Sequence, residues 1–177
     1  PEARAALKEA QSRLLVLASV HEALVQPSGD SGAAQIDMAA LVETLVAALR
    51  ESMPGSRGIT LRTACDPVIL GAGEAVPLGL IVNEAVTNAL KHAFHGRASG
   101  EVLVELRRTG PSCSLEIRDD GIGFADAVRE GSLGMRLIRS LARQLKAKLA
   151  VSGDGGGSVR LEWRADAAAE RLAEIAG

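Results

Sequence analysis

Tyrosine is absent from this sequence, and its aromatic residues are two Phe and one Trp, 2% of the chain. A surface that binds single strands by base stacking needs a platform of exposed rings, so that class of nucleic-acid binder is disfavoured. An excess of either charge is also missing. The 20 Lys and Arg against 22 Asp and Glu leave a net charge of −2. With no basic block, the chain is not expected to bind nucleic acid through the phosphate backbone. The two cysteines, Cys65 and Cys113, stand far apart and in no metal-ligand spacing. They read as small core or strand residues in a reducing compartment. No apolar run reaches the roughly 18 residues needed to span a bilayer, and no leader pattern is visible. A cytoplasmic location without membrane contact by these residues is expected. The chain begins with Pro1 and not Met, so a sensor, membrane or substrate region is expected upstream.

What is present is material for a core. Hydrophobic residues make up 47% of 177 positions, enough for one domain and a short appendage. Residues 1 to about 26 read as one helix, with Leu7, Leu14, Leu17 and Leu24 recurring near helical spacing. The stretch from Pro27 to Gly32 breaks it as a turn or linker does. Beyond the break, a short strand at Gln35 and Ile36 leads to Asp37, which can cap a helix over Met38–Met53. Strands are predicted near 59–64 and 68–70, a long helix over Glu74–Phe94, and two strands, 101–107 and 112–118, joined by Thr109-Gly110-Pro111. A loop over 119–132, a helix over Leu133–Lys146 and a hairpin of strands 147–152 and 158–164 follow, and the tail from Ala165 is predicted helical. The frequent hairpins among helices predict an α+β fold, a two-layer sandwich with a mixed, mostly antiparallel sheet, helices on one face, and one long helix in front. The units are expected at 1–33, 34–164 and 165–177.

Three motifs carry chemistry. The first, Asn83-Glu84-Ala85-Val86-Thr87-Asn88-Ala89-Leu90-Lys91-His92, lies on the long helix, where Glu84, Asn88, Lys91 and His92 share one face at α-helical spacing. An amide oxygen and a carboxylate suit Mg2+, and a lysine suits a phosphate; a solvated helix face fits the same residues. The second, Asp119-Asp120-Gly121-Ile122-Gly123-Phe124, follows a strand. Its glycines let a flat ring approach the backbone, and an ionised Asp accepts hydrogen bonds such as those of an adenine amino group; a strand-ending turn fits as well. The third, Gly131-Ser132-Leu133-Gly134-Met135-Arg136, opens a helix. Its free N–H groups suit phosphates, and simple capping by Ser132 accounts for it equally. His92 and His95 have HxxH spacing without a third ligand, which does not make a zinc site.

Taken in order, these motifs resemble the nucleotide-binding (Bergerat) fold shared by gyrase, histidine kinases and the mismatch-repair protein MutL. NEAVTNALKHAF, DDGIGF and SLGMRLIRSLARQL are similar to the N, G1 and G2 boxes of histidine kinases of the HisKA_2 type, and the first helix resembles the second helix of their dimerisation hairpin. The resemblance implies that Asn88 ligates the Mg2+ bridging the ATP phosphates and that Lys91 and His92 lie against phosphates or ribose. It implies that Asp119 accepts the adenine amino hydrogen while Gly121 and Gly123 shape the pocket. Ser132, Leu133 and Gly134 would meet the phosphates, and Gly157 and Ser158 would close the far side of the adenine site. Glu84 matches the catalytic carboxylate of ATPase relatives and of anti-sigma-factor serine kinases; a partner that orients Asn88 is the other reading. The third motif departs from the family's GxGxG, with Ser132 where a glycine is usual, and the lid between Phe124 and Leu133 is short.

No His-Arg-Val-Lys-Asn-Asn-like acceptor box is present. The phosphorylated histidine is therefore expected upstream, and His21 is read as structural. The resemblance implies ATP and Mg2+ as ligands, a response-regulator receiver domain as partner, and a homodimer through the dimerisation helices. An anti-sigma-type serine kinase and a non-catalytic phosphotransfer scaffold are the competing functions.

Overall fold

The computed structural model describes residues 2–25, 35–52, 58–123 and 132–165. The expected linker, the lid and the helical tail therefore fall outside the described residues, apart from Ser132, Leu133 and Ala165.

Strand β1 (Gln35–Asp37) runs straight into helix α2 (Met38–Ser52). The Asp37 carboxylate makes that junction: its Oδ1 accepts from the N–H groups of Ala39 at 2.9 Å and Ala40 at 3.3 Å. These are donors that the first turn of a helix cannot satisfy internally. Asp37→Ala is expected to cost about 1 kcal/mol, lowering the thermal midpoint by about 2–4 °C; a melting curve checks it. One face of α2 buries Leu41, Val42, Leu45, Val46 and Leu49, while Glu43 and Glu51 stay exposed.

Five strands form the main sheet: β2 (Ile59–Cys65), β4 (Gly100–Thr109), β5 (Ser112–Asp119), β6 (Lys148–Ser152) and β7 (Ser158–Arg164), in the order β2-β4-β5-β7-β6. A short β3 (Ile69–Gly71) pairs with β1. Among the five, only β2 and β4 pair in parallel, and a parallel pair needs a crossover connection, here through a helix. That helix is α3 (Ala72–Asn88). Val102, Val104, Leu106, Leu115, Ile117, Leu161 and Trp163 alternate to one face and share a core with Leu78, Ile81, Val82 and Val86 of α3 and with Met135 and Ile138 of α4 (Leu133–Gln144). The opposite face carries crossed charges such as Arg62–Glu101 at 3.5 Å, Arg118–Glu105 at 3.6 Å and Arg160–Glu116 at 3.3 Å. Exposed pairs of this kind add little stability each, but they keep that face wet. The architecture is the expected α+β sandwich. Both cysteines are free, on β2 and β5, and burial pushes the Cys65 thiol up from its ordinary value.

Two elements differ from expectation. The predicted helix over Glu74–Phe94 is α-helical only to Asn88; Ala89–Ala93 form a π turn. Bonding from i to i+5 breaks the α-helical register, so the stripe of Glu84, Asn88, Lys91 and His92 keeps its spacing only over its first two members. Helix α1 (Glu2–Val25) also turns a different side inward. Val16 and Val20 join the core, whereas Leu14 and Leu17 are exposed. Val16 packs over Gly79 of α3, where a Cβ would come within 3.0 Å of Val16 Cγ1; the missing side chain lets the helices approach.

Candidate functional site

Asp119 is the last residue of β5 and stands opposite Val102 of β4. Val102 is fully buried, so the Asp119 side chain rises on the helix-covered face. Its Oδ1 accepts from the backbone N–H of Gly121 at 2.9 Å and of Gly157 at 3.0 Å. Two donors satisfy that oxygen. Oδ2 makes no hydrogen bond to the described residues, so one acceptor of the carboxylate is left for a ligand. Asp119 N–H also donates to Gly157 O at 2.8 Å, which locks the glycine run between β6 and β7 to the end of β5. Gly156 has φ 123°, and a Cβ there would lie 2.0 Å from Asp119 O.

The loop after Asp119 is seated on the π turn that follows α3. Ile122 N–H donates to Ala93 O at 2.9 Å, and a Cβ on Gly121 would meet that same oxygen at 2.3 Å. Gly123, with φ 76°, lies against Gly153 O. Asp120 does a different job from its neighbour. Its Oδ1 accepts from Glu101 N–H at 2.8 Å, and Arg97 pairs with it and donates to its carbonyl. The first Asp of the doublet faces the site, and the second holds the loop to the start of β4.

The second pole forms where α3 meets α4. Ser132 caps α4, its Oγ accepting from Met135 N–H at 3.3 Å. The first N–H groups of α4, on Leu133 and Gly134, have no intrahelical partner, and the helix dipole makes this end attractive to anions. Gly134 abuts two polar side chains of α3: a Cβ there would lie 2.9 Å from Glu84 Oε2 and 3.2 Å from Asn88 Nδ2. Glu84 is buried, its side chain 7% exposed, and its Oε1 accepts from Arg13 Nε of α1 at 2.7 Å. Arg13 is the residue of this cluster that sequence patterns did not single out. Its partner lies 71 positions away, and one arginine among several in a helix carries no signal of that.

Glu84, Asn88 and Gly134 thus meet directly, and the seat on Ala93 ties Asp119 to the same helix. Lys91 and His92 lie in the π turn, Lys91 half-buried and His92 exposed with its ring stacked on His95. Leu133 is exposed. Ser158 stands opposite Arg118, and its hydroxyl turns to the outer face of the sheet, where it donates to Glu116 Oε1 at 2.9 Å; it lines a cavity there together with Asp119 and Gly157. Among the described residues no group of three or more His, Cys, Asp and Glu can hold a metal. The Asn88 amide oxygen is a donor of the kind Mg2+ takes, with the rest of its shell filled from phosphates and water.

The model of the family described as "Histidine kinase-like ATPase domain" matches residues 46–163. The chain belongs to that family. The histidine kinase-like ATPase domain described here is 36% identical over 120 residues to blue-light-activated histidine kinase 2 of Erythrobacter litoralis, covering 64% of this chain and 34% of that protein. It therefore spans about a third of that relative. It is also 36% identical over 86 residues to the serine-protein kinase RsbW of Listeria monocytogenes, covering 39% of this chain and 55% of that protein. Among solved structures it superposes on the histidine kinase domain of the Erythrobacter litoralis blue-light-activated kinase with a TM-score of 0.80 and 27% identity, over 89% of this chain and 75% of that one. No helix among the described residues is long and apolar enough to cross a membrane.

Proposed function

We propose that this domain holds ATP with Mg2+ as the catalytic part of a two-component sensor histidine kinase. The γ-phosphoryl passes to a histidine on another segment and then to an aspartate of a response-regulator receiver domain. The observation that carries the reading is the Asp119 carboxylate, with one oxygen satisfied by the loop and the other open on the helix side. That open oxygen suits the exocyclic amino group of adenine. Gly121 and Gly123 let the loop beside it close on Ala93 and Gly153. The N-terminus of α4 and Asn88 lie where a polyphosphate would extend, and Lys91 of the π turn is its nearest lysine in sequence. Mg2+ on the Asn88 oxygen would offset the phosphate charge. The acceptor imidazole attacks the γ-phosphorus, the bond to the β-phosphate oxygen breaks, and ADP leaves; catalysis is positioning and electrostatics. In this reading α1 and the linker to residue 33 are the second dimerisation helix of a homodimer, 34–164 the ATP-binding unit and 165–177 an appended tail.

A serine kinase is the second reading, favoured by Glu84, a carboxylate that would take a proton from a hydroxyl. Incubation with γ-labelled ATP separates them. The chain alone is expected to bind ATP and acquire no label, and the parent protein is expected to acquire acid-labile, alkali-stable label. Stable label on His21 of the chain alone would overturn the expectation of an acceptor elsewhere. Acid-stable label on a protein substrate would favour the serine kinase, and absence of ATP affinity would leave only a non-catalytic scaffold.

A further inference from the structure

Glu84 divides its two oxygens between two helices. Oε1 receives Arg13 of α1, and Oε2 lies against Gly134 at the start of α4. Arg13, Val16 and Val20 fall at i, i+3 and i+7, one face of α1. Val16 and Val20 are 0% and 3% exposed and anchor that face on the domain, and Arg13 reaches Glu84 from the same side. One buried carboxylate therefore joins the docked helix to the end of the site that would receive phosphates.

We propose that Arg13 is a positioning residue that acts on the nucleotide site through Glu84, so that docking of α1 and binding of nucleotide phosphates favour each other. The inference rests on the nucleotide reading above. The physical argument is one of charge. A carboxylate that is 7% exposed is poorly screened by water, and a polyphosphate at the N-terminus of α4 would meet its field. With α1 docked, the guanidinium neutralises that charge. With α1 displaced, the carboxylate is unpaired and repels the incoming phosphates. Linkage makes the effect reciprocal: if the pair raises affinity for nucleotide, nucleotide tightens α1 by the same factor. Movement of α1 is then felt at the phosphates and not at the adenine end, where the Asp119 carboxylate is held by Gly121 and Gly157.

The test compares affinities for ATP with Mg2+ and for adenosine, which lacks phosphates, in the protein and in Arg13→Ala, Arg13→Lys, Glu84→Gln and the Arg13→Ala/Glu84→Gln pair. Arg13→Ala is expected to weaken ATP about tenfold, or about 1.4 kcal/mol, and to leave adenosine within about twofold. Arg13→Lys should recover most of the loss. In the Glu84→Gln background the effect of Arg13→Ala should shrink to about twofold or less, because a neutral amide does not repel phosphate. Hydrogen exchange of the α1 amides should slow on adding ATP in the unmodified protein and respond less in Arg13→Ala. The inference is overturned if Arg13→Ala leaves ATP affinity unchanged, weakens ATP and adenosine equally as a general loss of structure would, or acts equally with Glu84 and with Gln at position 84. If the unmodified protein binds neither ligand, the nucleotide reading falls first and takes the inference with it. Should Arg13→Ala melt the helix, Arg13→Gln repeats the comparison with a neutral donor in place.

Discussion

Asp119→Asn is expected to lower ATP affinity about a hundredfold, about 2.7 kcal/mol, while the domain stays folded. The reason lies in how the carboxylate is used. Asn keeps an oxygen for the N–H groups of Gly121 and Gly157, at 2.9 and 3.0 Å in the unmodified chain, so the loop and the glycine run retain their anchor. The oxygen left open for the ligand becomes an NH2. A donor then faces the adenine amino group, and each is left without its acceptor. Unpaired polar groups of this kind are why a site built for one hydrogen-bonding pattern rejects another so strongly. The same exchange favours a base with a carbonyl at that position, so the ratio of ATP to inosine triphosphate affinity should fall further than the ATP affinity itself. Titration calorimetry with both nucleotides, alongside a melting curve, measures this. Equal ATP affinity in the two proteins would remove Asp119 from the base-binding role.

Gly156→Ala should be the most damaging of the single-methyl additions between β6 and β7. The residue has φ 123°, and the new Cβ would fall 2.0 Å from the carbonyl oxygen of Asp119. Neither partner can yield cheaply, because both are backbone and Asp119 N–H is bonded to the adjacent Gly157 O at 2.8 Å. A cost of about 3 kcal/mol or more is expected from strain and clash together, or about 6–12 °C in the thermal midpoint. ATP binding should weaken too, since the displaced strand end carries Asp119. Gly155→Ala is the control. Its φ is 71° but a Cβ there meets nothing within 4 Å, so only the left-handed conformation is penalised, by about 1–2 kcal/mol. If the two substitutions cost the same, the close approach of Gly156 to Asp119 is not what holds this corner together.

Most of the framework was legible because its signals are local. Asp37 announces the start of α2, the Thr109-Gly110-Pro111 turn announces the hairpin of β4 and β5, and the alternation of Val159, Leu161 and Trp163 announces β7. That same alternation was enough to send the Ser158, Arg160 and Glu162 side chains to the outer face. Glu84 and Asn88 were placed together by α-helical spacing. Their meeting with Gly134 depends on how α3 and α4 pack, which periodicity alone does not give. The division of labour between Asp119 and Asp120 follows from strand register, visible only once β5 is paired with β4. Arg13 was out of reach because α1 carries two candidate faces. The leucine spacing favoured one, and the fold uses the valine face that packs closely over Gly79.

The π turn after Asn88 amounts to a change of phase within one continuous helix. Residues before it keep time with Glu84 and the core, and residues after it run on a different beat, ending at Ala93, whose carbonyl receives the loop that follows Asp119. Chain length over Ala89–Ala93 is therefore as much a determinant of this site as any side chain in it. The wider turn takes up one residue more than an α-helical turn would, and the chain beyond it still brings the Ala93 carbonyl to the N–H of Ile122.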